Sequence, residues 1–382
     1  MKDSKHFPEE LLSDTPDAKK NYFQNYYVLH PKLKDATDML INAIKNSAGF
    51  SIIQLIGPTG VGKTTLIKKV IKQIIKESTE EMNKDKSLIP IICVEAISPD
   101  SGQFNWKDYF KRCLEALEEP LIDDKIDYDK LVNRVYAGSK FKSNATTPVL
   151  RRCFENALVH RKLVALIIDE AQHLAKMASG RRQIDQLDSI KSIANTTCVS
   201  QVLVGTYELL PFINMSAQLS RRTFDIHFMR YHSTNEKDMN DYKNIIKQFQ
   251  WHLPLEKESD LVKEIEFIYE RTIGCVGILK NWLERCLAEA VDNDIKTINH
   301  KLLEKHAFSK NKISAIALEV VNGEEEFLKV DNEAMNALNK ALGLGKSGSD
   351  DNSTKKQGTN VKRRVGQRNP IRDKVGMTES GA

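Results

Sequence analysis

The sequence predicts an α/β domain with a parallel central sheet flanked by helices, followed by an all-helical segment, on three observations. Apolar runs at Ile52–Ile56, Leu88–Val94, Leu163–Ile168 and Gln201–Thr206 alternate with helix-period segments, as in a parallel sheet covered on both faces. The first run leads into Gly57-Pro58-Thr59-Gly60-Val61-Gly62-Lys63-Thr64, a glycine-rich loop that opens a helix. From about Asn235 onward the strand signals stop and only helical periodicity continues.

Residues 1–50 form an N-terminal extension and first helix: an aromatic patch (Tyr22, Phe23, Tyr26, Tyr27) precedes Leu33, Ala36, Leu40 and Ile44 at helical spacing. After the glycine-rich loop, Leu66, Val70, Ile71 and Ile74 share one helix face, while Lys68, Lys69, Lys72 and Lys76 lie elsewhere. The run at Leu88–Val94 ends in Ser98-Pro99-Asp100-Ser101-Gly102, a turn composition, before a helix carrying Trp106, Tyr109, Phe110 and Leu114. The second half of Asp123–Thr147 reads as a polar loop, and a helix is expected over Pro148–His160. Residues 51–232 are therefore assigned to the α/β core, 233–308 to a helical subdomain and 309–345 to a C-terminal helical segment. Residues 346–382, rich in Gly, Ser, Lys and Asn, are assigned to a flexible basic tail with too little apolar content to fold alone.

A chain of 382 residues can hold two or three structural units. None of its apolar runs is long enough to span a bilayer, and no apolar core follows Met1-Lys2-Asp3-Ser4-Lys5, so a cytoplasmic protein with no membrane partner is expected. Six cysteines without CxxC spacing read as buried, reduced thiols. The net charge of +5 lies entirely beyond residue 345, where nine Lys/Arg face four Asp/Glu; the preceding part carries 48 of each sign. Any nucleic-acid contact by the folded part must come from local patches.

The glycine-rich loop has the P-loop spacing. Glycines let consecutive N–H groups curl around phosphates, Lys63 reaches the β- and γ-phosphates, and the Thr64 hydroxyl, followed by Thr65, is placed for Mg²⁺. A helix beginning here turns its positive dipole end toward the same anion. Asp169 and Glu170 end the third apolar run. The first can hold Mg²⁺ directly or through water, and the second can act as general base toward the attacking water. Thr206 ends the fourth run, where a hydroxyl can help position water and the γ-phosphate. Arg221 or Arg222, supplied to a neighbour's nucleotide, can neutralise charge developing on the transferring phosphoryl group.

The combination of this loop with Ile167-Ile168-Asp169-Glu170-Ala171-Gln172-His173 and Leu203-Val204-Gly205-Thr206-Tyr207-Glu208-Leu209 resembles the TnsC/TniB branch of AAA+ ATPases. These are regulators of Tns-type transposons, including those directed by CRISPR complexes. The resemblance runs from about Tyr26 to Ala290 and implies an AAA+ core with a small helical lid. It implies Thr206 at the sensor-1 position, Arg221 or Arg222 as the finger, and a sensor-2 helix opening over Gly274–Lys280, with Lys280 as its nucleotide-binding cation. The sequence departs from the common AAA+ pattern in having Thr where Asn is usual and Lys where Arg is usual.

The resemblance further implies ATP- and Mg²⁺-dependent assembly with itself, as a ring or helical filament, on duplex DNA without sequence preference. Its remaining implied partners are transposase subunits and a target-selection protein or CRISPR complex. Candidate DNA contacts are Lys140, Lys142, Thr146 and Thr147 in the loop after the second strand, and Arg181 and Arg182 in a loop after Glu170. The tail, including Lys355, Lys362, Arg363, Arg364 and Arg372, has two functional readings, extra DNA affinity or a docking segment for a transposase or endonuclease subunit, beside the plain one of a solubilising disordered end. Two rival functions share parts of this pattern: a replication-initiator or clamp-loader-like ATPase, and a signalling ATPase that gates protein assembly without DNA.

Overall fold

Five strands, β1 (Ile52–Ile56), β2 (Ile91–Glu95), β3 (Ala165–Asp169), β4 (Ser200–Gly205) and β5 (Thr223–His227), form one sheet in the order β2-β3-β4-β1-β5. Every pairing is parallel. The computed structural model describes residues 6–47, 49–98, 104–124, 145–175, 181–211 and 223–343. The register pairs Ile56 with both Gly205 and His227, and Glu95 with Asp169. It thereby brings the carboxyl ends of all five strands to one edge, the position where open parallel sheets place their ligands.

The helices are α1 (Pro16–Asn25), α2 (Pro31–Lys45), α3 (Lys63–Glu77), α4 (Thr79–Lys84), α5 (Trp106–Ala116), α6 (Thr147–His160), the short α7 (Gln172–Ala175) and α8 (Arg181–Thr197). After β5 come α9 (Glu236–Trp251), α10 (Ile265–Thr272), α11 (Val276–Asp292), α12 (His300–His306) and α13 (Lys310–Ala341). Strand alternation divides the core in two. Leu166 and Ile168 face Phe110, Phe154, Leu187 and Ile190 on one side; Ala165 and Ile167 face Leu40, Leu66 and Val70 on the other. A third core, around Trp282, Tyr242 and Phe249, joins α9 to α12 and takes in Phe23 of α1. The Trp282 indole N–H donates to the Leu303 carbonyl at 3.0 Å, so burying this ring strands no polar group.

Residues up to Asp331 form one compact unit and those from Asn332 a second, whose described part is the end of α13. Among the described residues no helix is long and apolar enough to cross a membrane. The thiols of Cys113, Cys275 and Cys286 are buried as expected, whereas Cys93 and Cys198 are exposed. Strand β5 has no counterpart among the four apolar runs. It is an edge strand in which only Thr223 and Ile226 are buried, with polar residues at Thr223, Asp225 and His227, so it lacks the strong apolar signal of β1, β3 and β4. Arg181 and Arg182 were expected in a loop; they are instead the first two residues of α8. Thr146 stands at the N-cap position of α6 without a side-chain capping hydrogen bond, and Thr147 begins the helix.

His30 fixes the start of α2. Its Nδ1 accepts from the Leu33 N–H at 3.2 Å and lies 2.9 Å from the Tyr231 hydroxyl. An Nδ1 that accepts a backbone N–H carries no proton, so the ring is neutral with its hydrogen on Nε2. Burial, helped by Lys32 and Lys69, lowers the His30 pKa from 6.5 to about 4. Burial does the same at His227, also to about 4, against the opposing pull of Glu324. The unfolded chain takes up these protons below its ordinary histidine pKa while the folded protein does not, so stability falls as pH drops from about 6.5 to about 4. We expect the denaturation midpoint to decline through that window, by up to about 3 kcal/mol for His30. His30→Asn, which keeps a capping side chain, should flatten the decline in urea melts run at each pH.

Candidate nucleotide-binding site

Strand β1 delivers the glycine-rich loop to the carboxyl edge of the sheet, where the Gly57 N–H donates to the Gly205 carbonyl at 3.3 Å. Gly60 and Gly62 have left-handed φ values of 76° and 117°, a conformation that residues with a Cβ adopt only at a cost. Gly62 is also the N-cap of α3 and offers no side-chain acceptor. The first-turn N–H groups that follow it have no intrahelical partner and form the rim of an anion cradle. Lys63, 9% exposed, folds back into this loop, where its Nζ donates to the carbonyls of Gly57 at 2.9 Å and Pro58 at 3.1 Å. Burial lowers its pKa, while Glu170, Asp169 and Glu319 pull it back toward the charged form.

Glu170 lines the same cleft as the loop, and Asp169 precedes it at the end of β3. An Asp169 carboxylate oxygen accepts from the Glu170 N–H at 2.9 Å. Burial, reinforced by the Glu170 charge, raises the Asp169 pKa, and Lys63 opposes the rise. A divalent cation would reverse this balance, since a carboxylate ligand is held ionised by the ion's own charge. Glu170 takes a left-handed φ of 52°, and its carboxylate accepts from Nε2 of Gln172. Oε1 of Gln172 accepts from the Thr206 N–H at 3.4 Å. Thr206 is 8% exposed and its hydroxyl oxygen has no hydrogen-bond partner. An orphaned buried hydroxyl carries a desolvation cost that a ligand or water can relieve.

A cleft of about 470 Å³ is lined by the loop residues Gly60, Gly62, Lys63 and Thr64, by Glu170, Gln172 and Thr206, and also by Gly277, Asn281 and Glu319. A second cleft of about 310 Å³ adjoins it, walled by Tyr26, Val28, His30, Val276 and Lys280. Gly62, Thr65, Gly277 and Asn281 line both. The start of α11 sits directly on the loop, with the Ile278 N–H donating to the Gly60 carbonyl at 3.1 Å. A Cβ on Gly277 would lie 2.5 Å from that carbonyl oxygen, so only glycine permits the contact.

The structure gathers Lys63, Thr64, Glu170 and Thr206 on one cleft, with Asp169 adjoining Glu170 at the end of β3. Lys280 lines the smaller cleft, but its ammonium is engaged by the Phe23 carbonyl, by Glu284 at 2.6 Å and by the Phe23 ring at 4.2 Å from the centroid. Arg221, Arg222, Lys140 and Lys142 lie outside the described residues. Five contributors have no assignment of their own from the sequence: Glu208 and Gly277 stand only inside the Leu203–Leu209 and Gly274–Lys280 segments. Gln172 was visible only as part of the Asp169–His173 segment, and Asn281 and Glu319 carry no motif. Helix α13 brings Glu319 to the cleft and is anchored beside it. There the Arg230 guanidinium pairs with both Glu324 oxygens at 3.0 Å, and Phe327 lies on His227 with centroids 4.3 Å apart.

Residues 47–213 match the family model described as an AAA domain. Among solved structures, the fold is similar to the Aeropyrum pernix ORC2 protein in its ADPNP–ADP complexes, with a TM-score of 0.51 at 14% identity over 77% of this chain and 72% of that one. It is equally similar to the Aeropyrum pernix ORC1 protein in complex with DNA, with a TM-score of 0.51 at 14% identity over 75% of this chain and 68% of that one. No curated protein sequence matches. With its parallel five-stranded sheet flanked by helices, the chain has the AAA+ P-loop ATPase fold, and the match to the AAA domain model falls on the part of it that holds the glycine-rich loop and the ends of β3 and β4.

Proposed function

We propose that this protein is an ATP-hydrolysing AAA+ regulator of transposition that assembles on duplex DNA and links a target-selection complex to a transposase. The observation that carries the ATPase reading is the convergence of Lys63, Glu170 and the orphaned Thr206 hydroxyl on one cleft beneath a glycine cradle. The larger cleft takes the phosphates and the adjoining one the nucleoside. Lys63 turns from its loop carbonyls to the β- and γ-phosphates, and Thr206 holds the γ-phosphate or the attacking water. Glu170 receives the proton of that water. Thr64 and Asp169 supply the hard oxygen donors suited to Mg²⁺, which when bound neutralises phosphate charge.

The transposition reading rests on the TnsC/TniB resemblance of the Ile167–His173 and Leu203–Leu209 segments. Arg221 or Arg222 would complete a neighbour's site, and Thr146, Thr147, Lys140, Lys142, Arg181 and Arg182 would supply phosphate contacts. A second reading, a replication-initiator-like ATPase, is favoured by the fold's similarity to the two archaeal ORC proteins, one of which was solved with DNA. In the described residues after the lid, a single helix, α13, stands where such an initiator would carry a winged-helix domain.

Binding to unrelated duplexes with ATP, with ADP and without nucleotide, each across a salt series, separates these readings. We expect ATP-dependent assembly, equal affinity for unrelated sequences and a steep log–log fall with salt, its slope about 0.9 per phosphate neutralised. A strong preference for one sequence would favour the initiator reading. ATP-driven assembly without DNA affinity, or a flat salt response, would overturn the DNA role.

A further inference from the structure

Gln172 uses both ends of its side-chain amide, on two elements that the proposed hydrolysis needs. It is 4% exposed. Its Nε2 donates to the Glu170 carboxylate, and its Oε1 accepts from the Thr206 N–H at 3.4 Å. A carboxylate only accepts and a backbone N–H only donates, so these partners define the amide orientation, and a flip would break both bonds. The end of β4 leaves room for this bridge only because residue 205 is glycine. A Cβ there would lie 2.7 Å from the Gln172 oxygen. The backbone around the bridge is also tied to β4, since the Ala171 N–H donates to the Val204 carbonyl at 2.8 Å. Glu170, at φ 52°, has an uncommon backbone conformation of the kind that persists where surrounding contacts over-determine it.

We propose that Gln172 is a positioning residue that couples the end of β4 to the Glu170 carboxylate. One Glu170 oxygen is held by the amide while the other is left to face the attacking water. Displacement of Thr206 by the γ-phosphate is transmitted through the amide to the base. The bridge bonds to no residue of the glycine-rich loop, so its loss falls mainly on the chemical step and spares the grip on the α- and β-phosphates. This inference rests on the reading of the cleft as an ATPase site.

The test compares Gln172→Leu, which removes both bonds, with Gln172→Glu, which keeps an acceptor for Thr206 but turns the donor into a repelling carboxylate. Both should lower kcat by about 10- to 100-fold, with KM and the ADP-induced thermal shift within about twofold of the parent. Gln172→Asn, tested for partial rescue, should lie between the parent and Gln172→Leu. In a Glu170→Gln background, Gln172→Leu should cause little further loss, because the two residues act as one unit. An unchanged kcat, parallel changes in kcat and KM, or a full additional loss in that background would overturn the coupling. If the parent hydrolyses ATP and Glu170→Gln does not, such a result condemns the coupling alone. If the parent hydrolyses no ATP, or Glu170→Gln hydrolyses it normally, the ATPase reading falls and the coupling with it.

Discussion

Lys63→Ala is expected to reduce ATP hydrolysis by about 10²- to 10³-fold, the cost of removing one preorganised charge from a phosphoryl-transfer site, and to abolish nucleotide-dependent assembly. The fold should survive. The ammonium is buried at a desolvation cost, and its bonds go to two carbonyls of its own loop at 2.9 and 3.1 Å. None of the three apolar cores includes this side chain. The nucleotide-free variant should therefore melt close to the parent. What should disappear is the stabilisation by ligand, which for a parent at a hundredfold excess over Kd is about 2.7 kcal/mol. Thermal melts with and without ATP, run beside a hydrolysis assay, separate this outcome from misfolding. A Lys63→Ala variant that retained the nucleotide shift would remove the cleft from consideration as the phosphate site.

Glu170→Gln is expected to lower hydrolysis by about 10²- to 10⁴-fold, the usual contribution of a positioned general base, while nucleotide binding is retained or tightened. The substitution preserves shape and removes one negative charge from a cleft that already holds Asp169 and Glu319 near Lys63, which eases the approach of a triphosphate. ATP-loaded assemblies on DNA should consequently persist after free ATP is removed, whereas those of the parent should decay. The two variants differ in kind, since Lys63→Ala prevents formation of the assembly and Glu170→Gln prevents its release. Electron microscopy of both on duplex DNA would show this directly, and identical assembly by the two variants would mean that nucleotide does not control oligomerisation.

The parts of the fold legible in the amino-acid sequence were those with a periodic or uninterrupted apolar signal. β1, β3 and β4 are buried on both faces along most of their length, and burial on both faces favours the predominantly apolar runs seen from Ile52, Ala165 and Val202, broken in β1 by the buried Gln54. The P-loop was legible because its glycines answer a backbone requirement that no other residue meets cheaply. Strand β5 and the start of α8 were not. The first is a five-residue edge strand with polar positions, and the second begins with Arg181-Arg182, whose charges suit a loop and a helix equally.

By itself, then, the sequence determined that a glycine-rich loop, an Asp-Glu pair and a threonine terminate three of the strands, because each lies at the boundary of an apolar run. Only the tertiary structure decided which neighbours complete the cleft. Gln172 bridges Glu170 and Thr206 because the register carries β3 and β4 to a common edge. Gly277 closes on Gly60 because α11 returns from the lid to the loop. Glu319 reaches the cleft because the Arg230–Glu324 pair and Phe327 hold α13 against the carboxyl edge of the sheet. Lys280 is drawn toward α1 by the Phe23 carbonyl and ring. Each of these contacts joins residues far apart in the chain or depends on the position of a neighbouring strand, and local periodicity carries no information about such pairs.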